Sequence, residues 1–426
     1  MSISVRYIYS ACVVIETQDV KILCDPWFTQ GAIDGAWFHF PVIEDPINVI
    51  GDVDIVWISH IHNDHYDPEF LKKYFDRYGK KEIIICDFKR NHLQRKMLGE
   101  GFIPSLINEE GKIIGETKLN IFAHDNGSIG DIDSALVVEY KSNLKTHVVI
   151  NLNDIPAEET FLSKINKLFP KIDILLLGYT GAGPYPQTYF DLHDHRLIKE
   201  ASKKKNQFFN MYLKIISKLN SKVNIPFAGK YILGGKLTEL NDFRGVADAV
   251  EVLDIDDNAI VMDDGGFSVI STGDLIPSAV RLKKYSRKDL QKRFNEIKNA
   301  KMHYETLINE DHANKLPILR LLPKAYNNAI KFSEVKEDYY FYIHIDDNGV
   351  LMNCNTDNHS YEVVNHSENL PTPRTEIFIN KVYLFGLLTM IYHWNNAEGG
   401  SQFMARRYPH YAYNMGAQGF LSFLHI

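Results

Sequence analysis

Val53-Asp54-Ile55-Val56-Trp57-Ile58-Ser59, followed directly by His60-Ile61-His62-Asn63-Asp64-His65, decides how this chain is read. The first seven residues are almost continuously apolar, which predicts a strand buried on both faces. The next six spell H-x-H-x-D-H. Strand alternation puts His60 and His62 on one side at the strand's end, where two imidazoles can hold one borderline metal ion. Asp64 and His65 fall on the following turn and can reach a second ion. Packing explains four such residues in six poorly, because buried histidine and aspartate need partners. A loop at the end of a buried strand is a natural place for a rigid metal site.

Working outward, Val5–Tyr9, Cys12–Glu16 and Lys21–Cys24 read as a meander of short strands. A helix is expected over Pro68–Tyr78 and a strand over Glu82–Cys86. Three more strands follow at Leu119–Ala123, Ser134–Tyr140 and Thr146–Asn151, and a buried one at Ile172–Leu177. Leu197 to Leu219 predicts a long basic amphipathic helix. Ala247–Asp254 and Ala259–Asp264 read as two further strands. Val280 to Lys301 holds nine Lys or Arg among 22 residues and reads as a solvated helix. Beyond it, Tyr339–Ile345 and Val350–Cys354 flank Asp346-Asp347-Asn348-Gly349, a hairpin signal. Ile377–Asn380 reads as a strand and Lys381–Tyr392 as an apolar helix. The fold class is therefore α+β, with a metal-binding domain over residues 1–278 and a small α+β C-terminal domain over 279–426.

The chain has 426 residues, 45% hydrophobic and 24% charged, which suits a globular protein with a sizeable core. Lys plus Arg is 47 against 54 Asp plus Glu, a net charge of −7. That balance argues against a nucleic-acid or anionic-membrane partner. The longest apolar stretch near the end, Val382 to Tyr392, is too short to span a bilayer. Cys12, Cys24, Cys86 and Cys354 form no zinc spacing and read as buried thiols of a cytoplasmic protein.

The H-x-H-x-D-H motif after a buried strand resembles the metallo-β-lactamase fold superfamily. The resemblance implies an αββα sandwich with a dinuclear site. It implies His60, His62 and His124 around one ion, and Asp64, His65 and a bridging Asp154 around the other, with Asp64 and Asp154 in catalytic roles. Cys24-Asp25-Pro26-Trp27 also fits the family, where such an aspartate orients the metal ligands; a turn-forming Asp-Pro is the plainer reading. The chain departs from the family at Ile225-Pro226-Phe227-Ala228-Gly229, where Phe227 stands in the place of the last histidine. His193 or His195 is the expected replacement.

The loop Gly178-Tyr179-Thr180-Gly181-Ala182-Gly183-Pro184-Tyr185-Pro186 is similar to one in the metallo-β-lactamase-like part of CMP-N-acetylneuraminate hydroxylases, and so is Pro226-Phe227-Ala228-Gly229-Lys230-Tyr231. Its glycines are expected to let a ligand approach the backbone. That family is iron-dependent and takes electrons through a Rieske domain, which needs two Cys and two His. No such pattern exists here, so either a separate electron-transfer protein is expected or the chain does not carry out that reaction. Tyr179, Tyr185, Lys230, Tyr231 and Lys236 are candidates for the substrate wall. The polar, aromatic tail Tyr392 to Ser401, with the hairpin before it, resembles a sterol-carrier-type domain. It is expected to close over the site, to form a contact in a homo-oligomer, or simply to end a helix.

Two kinds of chemistry stand open at this point. Two iron ions would activate dioxygen and hydroxylate a polar, anionic small molecule such as a nucleotide sugar. Zinc or manganese ions would instead make a bridging hydroxide that attacks a phosphoester, amide or lactone. A binding role with a vestigial site is the third reading, disfavoured because all six motif residues are present together.

Overall fold

The apolar runs of the first 271 residues pair into two sheets in the computed structural model, which describes residues 2–125, 132–142, 145–308, 310–365 and 369–426. The first sheet has the order Ser268–Ser271, Ser4–Tyr9, Cys12–Glu16, Lys21–Cys24, Ile55–Trp57, Glu82–Cys86, Ser105–Ile107. Its first four strands are antiparallel neighbours, and from Lys21–Cys24 onward the pairing is parallel. The second sheet runs Ser221–Phe227, Ile172–Gly178, Thr146–Asn151, Ile132–Lys141, Thr117–Asp125, Lys112–Ile114.

Period-two alternation sorts the side chains into layers. Val13, Ile15, Ile22 and Trp57 meet Leu136, Val138, Ile174 and Ile225 between the sheets. Val14, Leu23, Val56 and Ile85 face the other way, against Phe70, Leu71 and Tyr74 of the helix Pro68–Tyr78. Ile150, Leu175 and Leu177 pack against Leu162 and Ile165 of the helix Glu159–Leu168 and Tyr212 and Ile215 of the helix His195–Lys218. The result is the expected αββα sandwich. The helix Pro68–Tyr78 starts where its caps dictate: the Asp67 carboxylate accepts from Phe70 N at 2.9 Å and Pro68 takes the first turn.

Several expectations need correction. Ala247–Asp254 is no strand; Ala249–Asp254 is a 3₁₀ helix. Asp248 and Glu251 form a capping box there, a helix-start signature that outweighs the β-branched composition. Ala259–Asp264 forms no strand either, only one bridge from Ala259 to Asn224. The charged helix begins at Ser286, which caps it, and covers only Arg287–Ile297. In the glycine-rich loop, a Cβ on Gly181 would lie 2.5 Å from the Phe208 ring, so this glycine admits a neighbouring helix rather than a ligand.

The C-terminal part is a five-stranded sheet ordered Ser360–Asn365, Asn348–Asn353, Tyr340–Ile345, Arg374–Ile379, Phe403–Tyr408. Helices Ile318–Phe332, Lys381–Leu388 and Met415–Ser422 accompany it. Its apolar core is continuous with the loop after Lys21–Cys24: Trp27, Ile33 and Trp37 share one cluster with Leu384, Trp394 and Phe420. Asp34 is the polar centre of this junction. It accepts from Tyr383 Oη at 2.8 Å and Asn396 Nδ2 at 3.0 Å, while Gln402 Nε2 donates to the Ile33 carbonyl at 3.0 Å. Asp34→Ala strands two buried donors, and a destabilisation of about 1–3 kcal/mol is expected in equilibrium denaturant unfolding.

Candidate metal centre

Four chain segments converge at the same end of the two sheets. Asp25 follows the strand Lys21–Cys24, and the loop Ser59–His65 follows Ile55–Trp57. His124 lies near the end of Thr117–Asp125, with Asp133 opposite it in register. Asn153 and Asp154 follow Thr146–Asn151.

The histidines are brought together by a turn rather than by strand alternation. The chain leaves the strand at Trp57, and the His62 carbonyl accepts from His65 N at 3.1 Å and Tyr66 N at 2.8 Å. This closes the loop on itself. His60 Nε2 lies 2.8 Å from His62 Nδ1, and the His65 ring centroid is 4.1 Å from that of His60. His65 Nε2 stands 3.3 Å from both Asp64 Oδ2 and Asp154 Oδ2, and His60 Nε2 is 4.0 Å from Asp154 Oδ2. One donor atom each from His60, His65 and Asp154 lies within 4.8 Å of the others.

Asp25 holds this arrangement from behind. Its carboxylate is fully buried. Oδ1 accepts from Ser59 N at 2.8 Å, and Oδ2 accepts from Ser59 Oγ at 2.7 Å and faces His65 Nδ1 at 3.1 Å. Asn153 Nδ2 also donates to it. Asp25 and Asn153 both sit at positive φ, 41° and 54°, so each spends backbone strain at this point.

The electrostatics follow from burial and crowding. Burial pushes the His60 imidazole down to about 4, and the His65 charge adds to this. Burial lowers His62 as well, followed by the effect of His60. Burial works against the charge of His65 too, yet Asp64, Asp154 and Asp25 surround it and raise it well above the usual range. Asp133, 3.6 Å from His60 Nδ1, is pushed up to about 6 by burial and by the charge of Asp154.

The residues fit a metal ion. Among the described residues, Asp25, Asp64, Asp133 and Asp154 have no ion pair with lysine or arginine within 4 Å; their only such partners are histidines. Carboxylates and imidazoles with no lysine or arginine as counter-charge are a donor set that divalent ions take. His124 supplies a second sign: its Nδ1 is buried without a partner among the described residues, while Nε2 is 3.6 Å from Glu158 Oε2.

The remaining sequence candidates disperse. His193 is exposed and the His195 side chain is 93% exposed. Asp194 between them binds Arg196, and the adjoining Asp191 binds Arg406 of the C-terminal sheet. Neither histidine joins the cluster, because their segment faces that sheet. Phe227 is buried in the core between the sheets. Tyr185 donates to Glu200 at 2.7 Å, and Lys236 binds Glu305 at 2.7 Å. Tyr179, Lys230 and Tyr231 do share one cavity. The sequence reading missed Ser59, Asp133 and Asn153. Asn151-Leu152-Asn153-Asp154 at a strand end was the available signal for Asn153; Asp133 becomes visible only through its cross-strand pairing with His124.

Comparison with known proteins places these residues in context. A family model described as a beta-lactamase superfamily domain matches residues 4–154. A protein of Mycolicibacterium smegmatis named as a Rieske 2Fe-2S iron-sulfur protein is 30% identical over 241 residues, covering 54% of this chain and 45% of that one. The cytidine monophosphate-N-acetylneuraminic acid hydroxylase of Danio rerio is 23% identical over 243 residues, 54% of this chain and 38% of its own. The chain thus spans less than half the length of these curated relatives. Among solved structures, CmlA, a diiron beta-hydroxylase from Streptomyces venezuelae, is similar at 14% identity and a TM-score of 0.43, covering 63% of this chain and 54% of that one.

Asp25→Ala is expected to weaken metal binding by roughly 10–100-fold, read by competition with a chelating dye, while far-UV circular dichroism stays unchanged. His62→Ala is expected to lower metal content in elemental analysis; unchanged content removes His62 from the ligand set.

Proposed function

We propose, for a chain whose residues 4–154 are a beta-lactamase superfamily domain, that the cluster holds two divalent ions, iron by preference, and that the protein is a hydroxylase-type oxygenase acting on a polar, anionic small molecule. The observation that carries this reading is the donor set itself: imidazoles and carboxylates without a thiolate, beside a cavity of about 760 Å³ that His124 lines. His60, His62 and His124 would hold one ion, and Asp64, His65 and Asp154 the other. Iron with such ligands and open positions supplies dioxygen activation. Phe227 in the core, where a last histidine is expected, and the hydroxylase and Rieske names of the relatives support iron over zinc or manganese.

The chain's own residues supply orientation. Asp25 faces His65 Nδ1, which turns Nε2 toward Asp64 and Asp154. Ser59 Oγ, 2.9 Å from His60 Nδ1, places that ring in the same way. Phe161 and Met211 give the cavity an apolar wall, and Lys214 and Glu158 give it charge of both signs, Lys164 being paired with Glu109.

Electrons would come from a separate transfer protein, since Cys12, Cys24, Cys86 and Cys354 form no Rieske pattern. Four buried cysteines also fit a cytoplasmic location, and no described helix is long and apolar enough to cross a membrane. Protein isolated from iron-supplemented cells is expected to contain roughly one to two iron atoms per chain and to take up dioxygen when reduced. Zinc or manganese alone, with no uptake and with hydrolysis of a phosphoester, amide or lactone, would establish the hydrolase instead.

A further inference from the structure

A second cavity, of about 180 Å³, lies where the loops after Ile172–Gly178 and Ser221–Phe227 meet the helix Arg287–Ile297. Tyr179, Lys230, Tyr231, Arg244, Tyr285 and Phe294 are among its walls. Most of the charges around it are neutralised in pairs. Lys230 Nζ donates to Asp264 Oδ1 at 2.7 Å, Arg281 Nη2 is 2.8 Å from Asp248 Oδ1, and Arg287 Nη2 donates to Asp242 Oδ2 at 2.6 Å.

Arg244 is the exception. It is only 3% exposed, yet among the described residues it has no carboxylate within 4 Å. Nη1 donates to the Tyr231 carbonyl at 2.9 Å and Asn241 Oδ1 at 3.1 Å, the guanidinium lies 3.8 Å over the Tyr231 ring, and Nε is buried without an acceptor among the described residues. A nearby lysine deepens the imbalance. Lys204 is 9% exposed and, among the described residues, donates to the carbonyls of Tyr185 and Gly183; the Arg244 charge adds to burial in lowering its ammonium. A buried guanidinium is costly unless an anion completes it. Its planar fork is shaped to take two oxygens of one carboxylate or phosphate.

We propose that this cavity is an anion-binding site in which Arg244 receives the carboxylate or phosphate of a small organic ligand whose body lies among Tyr179, Tyr285 and Phe294. Its place in the fold connects it to the metal centre. Tyr179 follows the strand Ile172–Gly178, which pairs with Thr146–Asn151, whose end carries Asp154; Gly229 follows Ser221–Phe227, the next strand out. Burial raises the Tyr231 phenol, the charge of Arg244 works against this, and that of Asp64 adds a smaller push upward. As the anchor for a substrate's anionic group the site rests on the metalloenzyme reading; as an anion site it does not.

The test titrates metal-loaded protein with inorganic phosphate and, separately, with benzoate, by calorimetry. One or both are expected to bind the wild type, and which one does so assigns the anionic group. Arg244→Met is expected to weaken that binding at least about tenfold, the loss of a bidentate charged contact, with metal content unchanged. Val246→Trp narrows the cavity at its partly exposed rim without touching the guanidinium, and is expected to weaken it as well; it carries the test if Arg244→Met does not fold. Binding by neither anion, or equal binding by the variants, overturns the proposal. A zinc-only protein without dioxygen uptake would overturn the oxygenase reading and leave these titrations standing.

Discussion

One buried carboxylate organises the metal end of the sandwich. Asp25 reaches the backbone and hydroxyl of Ser59, the His65 imidazole and the Asn153 amide at once. These belong to two loops, one from each sheet, so a single side chain aligns strand ends that are distant in sequence. Hydrogen bonds to a charged group are each worth about 1.5–3 kcal/mol, and leaving such a group unsatisfied costs more. The positive φ of Asp25 and Asn153 is therefore held in place by the interaction it permits.

The same constraint explains how the site tolerates its own charge. Asp64, Asp133 and Asp154 crowd around imidazoles that burial keeps largely neutral. His65, facing three carboxylates, is the exception and takes up positive charge. The field of the cluster is that of a cation receptor, whatever the net charge of the chain. Arg244 shows the opposite imbalance at the neighbouring strand ends.

Much of this was legible in the residues, where local rules decide the outcome. Cys12–Glu16, Lys21–Cys24, Glu82–Cys86, Thr146–Asn151 and the helix Pro68–Tyr78 begin and end where alternation, caps and Gly79 put them. The Ala247–Asp254 segment failed because its β-branched residues outvoted a capping box that was equally visible. His60 and His62 lie together, though through a turn that no period could foretell. Asp133, Asn153 and Ser59 were hidden for another reason: their roles depend on cross-strand register and on loops meeting in space. His193 and His195 were sought to replace a missing ligand, and helix-start geometry at Asp194 instead turned them to the surface.

The shared core between the loop around Trp37 and the C-terminal helices bears on how the chain is made. Trp27, Ile33 and Trp37 are covered by residues some 350 positions later, including Leu384, Trp394 and Phe420. During synthesis at about 5–20 residues per second, this apolar surface stays bare for tens of seconds after the strands beside it have emerged. Ile33 and Asp34, both in left-handed conformations, have no reason to adopt them until Tyr383 and Asn396 arrive. A loop made early is thus finished only by residues made some 350 positions later, and its conformation is a late event in the folding of the chain.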